Sequence, residues 1–236
     1  TNYGFERNPY SSQHTFSAAY YFATSGYDFE YSGEFANVIG SWNLGLNAKF
    51  TSPNYAINFF GYGNSTSNLN VDDESNFNMD YNRVKLSTLK FSPSLNWRGS
   101  TGAHFKLGLS YESIEVERTS NRFINTFYVA NGLENQKEFI GAEATYSYKN
   151  KDNEAFPTLG MQTSLQVGYK SNLEKPKGFA YFIPELGFDY KLVSSGQLVF
   201  ATNAKAHFIF GDDFEFYQSA NLGANNGLRG YRNERF

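Results

Sequence analysis

The sequence predicts an all-β fold, a transmembrane antiparallel up-and-down β-barrel, on three observations. Aromatic residues make up 19% of the chain, 24 Phe and 18 Tyr among them, while Pro occurs only six times. That composition suits pleated, half-buried strands. Hydrophobic residues recur with period two over segments of about ten residues, so that each segment has one apolar and one polar face. The connections between segments alternate between short and long, the pattern of a barrel with tight turns on one rim and long loops on the other. A soluble sandwich has no cause to segregate its loops so regularly.

Taken in chain order, residues 1–5 read as the tail of a strand, followed by ten full segments: 13–24, 27–35, 42–50, 55–62, 80–98, 103–111, 139–149, 159–170, 180–192 and 198–210. In 27–35, Tyr27, Phe29, Tyr31 and Phe35 alternate with Asp28, Glu30, Ser32 and Glu34. In 42–50, Trp42, Leu44, Leu46, Ala48 and Phe50 oppose Asn43, Asn47 and Lys49. Segment 180–192 sets Ala180, Phe182, Pro184, Leu186, Phe188, Tyr190 and Leu192 against Glu185, Asp189 and Lys191. Segment 198–210 sets Leu198, Phe200, Thr202, Ala204, Ala206, Phe208 and Phe210 against Asn203, Lys205 and His207. Segment 80–98 changes phase, with Val84 and Leu86 on one parity and Leu89, Phe91, Leu95 and Trp97 on the other. A long strand with a bulge near 87–88 accounts for this, and two short strands are the alternative. The short connections are 25–26, 52–54, 99–102, 150–157 and 193–195, expected on the periplasmic side. The longer set is 7–12, 37–41, 63–79, 118–136, 172–177 and 211–236.

The faces decide which solvent each side meets. With about ten or more strands, a barrel interior is too wide for side chains to fill. The apolar face therefore belongs in lipid and the charged face around a watery lumen. Strands of about ten residues, at about 3.3 Å each and a tilt of about 40°, cross the apolar band of about 25 Å. Tyr20, Phe22, Tyr146, Tyr148 and Tyr190 near strand ends suit interfacial girdles. A lipid-exposed sheet edge is not tolerated. The chain is thus expected to be part of a barrel that lacks its C-terminal strands and the start of its first.

Composition excludes several other classes. Mean hydropathy is −0.53, and no apolar run reaches the ~18 residues of a membrane-spanning helix. A net charge of −3 and pI near 5.7 give no reason to expect nucleic acid. Without Cys there is no disulfide framework or thiolate metal site. The opening "TNYGFERNPY" lacks the apolar stretch of a secretory signal. His14, His104 and His207 are too far apart for a metal motif and read as ordinary polar residues. The acidic run 71–80 lacks the order of a calcium loop and reads as solvated surface. Arg98, Lys106, Lys149, Lys170, Lys191 and Lys205 share the inward face with Glu30, Glu34, Glu112, Glu143 and Glu185, and such mixed signs argue against a strongly ion-selective pore.

The chain closes on "ANNGLRGYRNERF", and "GLRGYRNERF" resembles the Arg-Gly-aromatic signature of the sixth extracellular loop in the outer membrane protein 85 superfamily. That superfamily includes the BamA, TamA, FhaC and bacterial surface antigen barrels. "DNEAFPTLGM" at 152–161 is similar to the family's "PTxG" periplasmic turn, here Pro157, Thr158 and Gly160. The family places its sixth loop after the eleventh of about sixteen strands, and 198–210 is eleventh when residues 1–5 count as the first. The wording "NNGLRGYRNERF" looks most like a Bacteroidota-type branch, whose members carry an N-terminal calcineurin-like phosphoesterase or periplasmic POTRA domains.

What the resemblance implies is a partial outer-membrane barrel over residues 1–236, with 211–236 as the sixth loop, no catalytic residues and no cofactor. Its function would be to insert or translocate polypeptides, with outer-membrane lipids, client polypeptides and other outer-membrane or periplasmic proteins as partners. The loop would fold into the lumen with Arg229 paired to acidic groups, Gly230 allowing close backbone approach and Tyr231 packing beside it. Guanidinium in a narrow lumen calls for carboxylates in fork geometry, and Glu185 or Asp189 are candidates. The rival readings are a passive channel or a membrane anchor for a periplasmic domain such as a phosphoesterase, and a soluble β-sandwich. Arg229→Ala is expected to lower the temperature at which the barrel loses its heat-modifiable migration on unboiled gels by more than Arg232→Ala does. Equal and negligible shifts would mean that neither side chain is anchored.

Overall fold

The structure is a computed structural model that describes residues 10–62, 78, 80–117, 120–128, 136–175, 177–211 and 213–221, with the backbone alone at 126–128. The expected strand tail at 1–5, most of the acidic run 71–80, and Arg229, Gly230 and Tyr231 lie outside the described residues. Eleven antiparallel strands form one sheet: β1 (Ser12–Tyr21), β2 (Gly26–Ile39), β3 (Trp42–Thr51), β4 (Ala56–Asn58), β5 (Arg83–Arg98), β6 (Ala103–Val116), β7 (Lys137–Lys151), β8 (Leu159–Asn172), β9 (Gly178–Lys191), β10 (Val199–Lys205) and β11 (Phe208–Phe210). The continuous path is β1-β2-β3-β5-β6-β7-β8-β9-β10, with β4 beside β5 and β11 beside β9. The described sheet does not close on itself.

The two unlike faces stand as the alternation predicts. Phe16, Leu109 and Phe200 point outward and are 79%, 61% and 57% exposed, as a lipid-facing wall requires. No helix is long and apolar enough to cross a membrane.

Three expectations are corrected. Residues 55–62 are not a full strand: only Ala56–Asn58 pair, with Arg83–Lys85 of β5, and β3 lies directly against β5. The strand leading to the final loop is therefore ninth along the continuous path. Second, β5 holds one unbroken register against β6, from Leu86 opposite Val116 to Arg98 opposite His104, so there is no bulge at 87–88. Val84 and Leu86 keep the inward parity of Lys90 and Ser94. They are apolar because the upper lumen is filled by protein rather than water. Third, the turn 22–25 and the excursion 52–82 lie on the same rim as the long loops, since Tyr21 pairs Gly26 and Thr51 pairs Asp28. The turn at 40–41, between the paired Ile39 and Trp42, lies on the other rim, beside a register shift in β2.

Proline explains the break in the last strand. Pro184 of β9 has no N–H, so the ladder loses a bond opposite Ala206, whose own N–H still reaches the Pro184 carbonyl at 3.1 Å. β10 and β11 keep the same register against β9 and act as one interrupted strand.

The long-loop rim is capped. Phe59, Val84, Leu86, Val116, Ile124 and Phe216 form a buried cluster, with Tyr55, Ile57, Phe123 and Tyr217 packed against it. It joins the tops of β5 and β6 to the 52–62 excursion, the helix α1 (Phe123–Tyr128) and the 3-10 turn Phe216–Gln218. Phe59 and Phe216 are fully buried, with ring centroids 4.6 Å apart. Truncating either to Ala would cost about 3–5 kcal/mol by the usual cavity scale. Polar ties hold the margin: Arg122 with Asp80, Phe123 N–H to the Tyr81 carbonyl at 2.8 Å, and Lys137 with Glu215.

Candidate functional site

The inner wall is a belt of charged side chains that satisfy one another across glycines. Alternation brings long polar residues to the inward face of every strand, but neighbours in one row are about 5 Å apart at the backbone. A Lys or Glu with several methylenes overreaches its immediate neighbour. Where the intervening residue is Gly, the chain lies flat over the bare backbone and meets a partner one strand further on.

Four rows show this. Lys151 of β7, Gly160 of β8 and Asp189 of β9 stand in register, and Lys151 Nζ reaches Asp189 at 2.8 Å with side chains only 13% and 10% exposed. Glu143 of β7, Gly168 of β8 and Tyr181 of β9 form a second row, where the Tyr181 hydroxyl donates to Glu143 at 3.1 Å. Lys170 of β8 lies over Gly141 of β7 to pair with Glu112 of β6 at 2.8 Å. A Cβ at Gly141 would stand 3.0 Å from Lys170 Cγ. Glu34 of β2 faces Gly45 of β3 and reaches Arg98 of β5 at 3.2 Å. Glu112 is 5% exposed and also receives Lys90 at 2.8 Å, while Glu143 takes Lys106 at 2.9 Å and Gln166 at 3.0 Å. Buried carboxylates are tolerable only because each is paired and hydrogen-bonded.

Below the cap, the wall encloses a cavity of about 400 Å³ bordered by Lys90, Lys106, Lys170, Glu143, Tyr181 and His207. Gln218, from the 3-10 turn in the final loop, also borders it. The leg of that loop is thus seated inward, held by Phe216 in the cap and by Phe214 against Phe179 at 6.1 Å. His14 lies on the outer face beside Tyr31. His104 stands on the inner face opposite Arg98, and the His207 ring lies 6.3 Å from that of Tyr181.

The Pro157, Thr158 and Gly160 turn closes the short-turn rim. Asp152 accepts the Thr158 hydroxyl at 2.6 Å and the N–H groups of Thr158 and Leu159 at 2.9 and 3.0 Å. The Thr158 hydroxyl, and then these amides, hold the Asp152 carboxyl well below the usual carboxylate range. Pro157 locks φ just before Thr158, and Gly160 is the bare floor under the Lys151–Asp189 pair. A Cβ on Gly160 would come within 2.6 Å of the Asn150 carbonyl oxygen.

Of the two acids expected to face Arg229, Asp189 is engaged by Lys151, whereas Glu185 accepts from Asn203 at 3.2 Å. Lys90, Lys151, Tyr181 and the wall glycines other than Gly160 were not singled out from the sequence. Isolated Gly on the inward parity of a strand was the available signal, since it marks close approach of another chain.

The Omp85 superfamily domain matches residues 25–236. The chain belongs to that superfamily. Among solved structures, this Omp85 chain resembles BamA from Haemophilus ducreyi lacking POTRA domains 1–3, with a TM-score of 0.64 and 16% sequence identity. The match covers 89% of this chain and 38% of that one, so the chain spans well under half the length of the protein it resembles. At this identity the likeness is one of fold. No curated protein sequence matches the chain.

Gly160→Val and Lys151→Met are each expected to cost about 3 kcal/mol in urea unfolding of the refolded barrel, and the double variant no more than the harsher single. Simple additivity would show that the two residues do not serve one pair. Asp152 gives a pH test. Its carboxyl is depressed in the folded state, so its stabilisation is complete above the unfolded value of about 3.9 and is lost as pH falls through the folded value. The stability gap between wild type and Asp152→Asn should therefore be constant near neutrality and shrink below about pH 4. A gap that persists unchanged into strong acid would remove the carboxylate from the account.

Proposed function

We propose that this chain is a barrel of the bacterial outer membrane that inserts or translocates polypeptides, with lipids on its outer face and client chains as partners. The observation that carries the reading is the inward seating of residues 213–219 in a chain whose Omp85 match spans residues 25–236. Phe216 is fully buried in the cap, so the loop bearing Arg229, Gly230 and Tyr231 sets out from inside the rim. Arg229 then pairs with a lumen carboxylate, and Glu185 is the better candidate, because Asp189 already holds Lys151.

The buried cluster over the tops of β5 and β6 fills part of the lumen mouth, which favours this over a passive channel with an open mouth. The reading assigns no catalytic step to the chain, since Glu34, Glu112 and Glu143 are each held by a cation. Depleting the full-length protein in its host and quantifying outer-membrane proteins tests it. Loss of one or more barrel or surface proteins is expected. Unchanged levels of every one of them, with only the loss of an attached periplasmic activity, would leave the anchor reading in its place.

A further inference from the structure

A hollow of about 300 Å³ opens in the outward face of β1, β2, β3 and β5. The register explains it. Ala18, Phe29, Phe50 and Leu89 form one row across the four strands, and Phe16, Tyr31, Ala48 and Phe91 form the next. Each row has a single Ala among bulky residues, on β1 in one and on β3 in the other, so the missing side chains leave an oblique trough. Its walls are firm: the Phe16 and Tyr31 rings lie 5.0 Å apart, and Phe50 meets Tyr27 at 6.0 Å. No part of the described chain covers the trough, and Phe29 and Leu89 are 51% and 49% exposed.

Its depth is set by the rims. The trough lies just below the rim of long loops, which is the extracellular one in such barrels. Tyr20 opposite Tyr27 forms the row above, an outward aromatic pair at headgroup level. Four residues along β5 from Leu89, roughly 13 Å at strand rise, Lys85 has the same outward parity, with Arg83 beyond it. Lys85 donates to Asn54 at 3.2 Å and faces Glu117 at 3.6 Å, and Arg83 pairs with Asp80 at 2.7 Å. Glu115, opposite Ser87, adds a third carboxylate to this rim. An ammonium has three donors and a guanidinium five, more than these partners take up, and both side chains are about a third exposed.

We infer that the trough seats one acyl chain of a phosphorylated glycolipid of the outer leaflet, with Lys85 and Arg83 donating to its head group. The inference rests on the outer-membrane reading above for the identity of the leaflet. An apolar slot at membrane depth admits a hydrocarbon chain and excludes water. Phenols, an amide and two cations at the rim match a head of sugar hydroxyls and phosphate. The rigid walls separate a defined seat from general contact with fluid lipid, because a preformed slot demands less ordering of the protein on binding.

Native mass spectrometry of the purified full-length protein tests this, with lipid A and phosphatidylglycerol titrated in separate arms. Wild type is expected to retain lipid A. Ala48→Phe, which fills the slot, should weaken retention about tenfold, the equivalent of about two buried methylene groups. Leu165→Phe, on the outward face of β8, should leave it unchanged. Lys85→Gln lies outside the apolar band and should weaken lipid A retention severalfold whether or not Ala48→Phe folds, which heat-modifiable migration checks. Wild-type retention in both folded variants, or phosphatidylglycerol held as tightly as lipid A, would overturn the inference. Neither result depends on whether client assembly is affected by depletion, so the two readings fail separately.

Discussion

Everything in this barrel follows from having to keep charge on one side of a single-layer wall. A strand in lipid can hide its backbone only in the ladder, and its side chains have only two directions. Once Phe, Leu, Tyr and Ala take the outward positions within the apolar band, the Lys and Glu at that depth must point into the lumen. There it needs a partner, because a carboxylate as enclosed as Glu112 is intolerable alone. The glycine rows are the solution. Removing a side chain at Gly141, Gly160 or Gly168 lets a long neighbour lie across the strand and join alternate strands, so that the wall is cross-braced beyond its backbone bonds.

The same logic changes sign at the top. There the lumen is filled by the 52–62 excursion, α1 and the 3-10 turn, and the inward positions of β5 and β6 become Val84, Leu86, Ile114 and Val116. An inward residue is polar where it meets water and apolar where it meets the cap. The parity never changes; the surroundings do. Because the cap takes Phe216 from the segment following β11, it also fixes the direction in which the last loop departs.

The short-turn rim is built differently, from hydrogen bonds rather than apolar packing. One carboxylate, Asp152, gathers the hydroxyl of Thr158 and several backbone amides of a seven-residue connection. Pro157 limits the loop's freedom before the strand begins, and Gly160 opens the wall for Lys151 immediately after. The turn and the first inward ion pair of β8 are thus one construction, which gives a reason for Pro, Thr and Gly at that spacing.

The sequence by itself determined the two-faced strands, their outward residues and a short connection at 150–157, which the structure narrows to 152–158, because the period of two is a local property of the chain. It also carried the resemblance that the Omp85 match bears out. It misread 55–62 as a full strand and 87–88 as a bulge, because alternation alone does not say whether an inward residue meets water or protein. Which rim receives each connection, which charge reaches across which glycine, and where Phe59 meets Phe216 were decided only by the tertiary structure. Those choices depend on register between strands distant in sequence, and a single strand's pattern carries no information about its neighbour's offset.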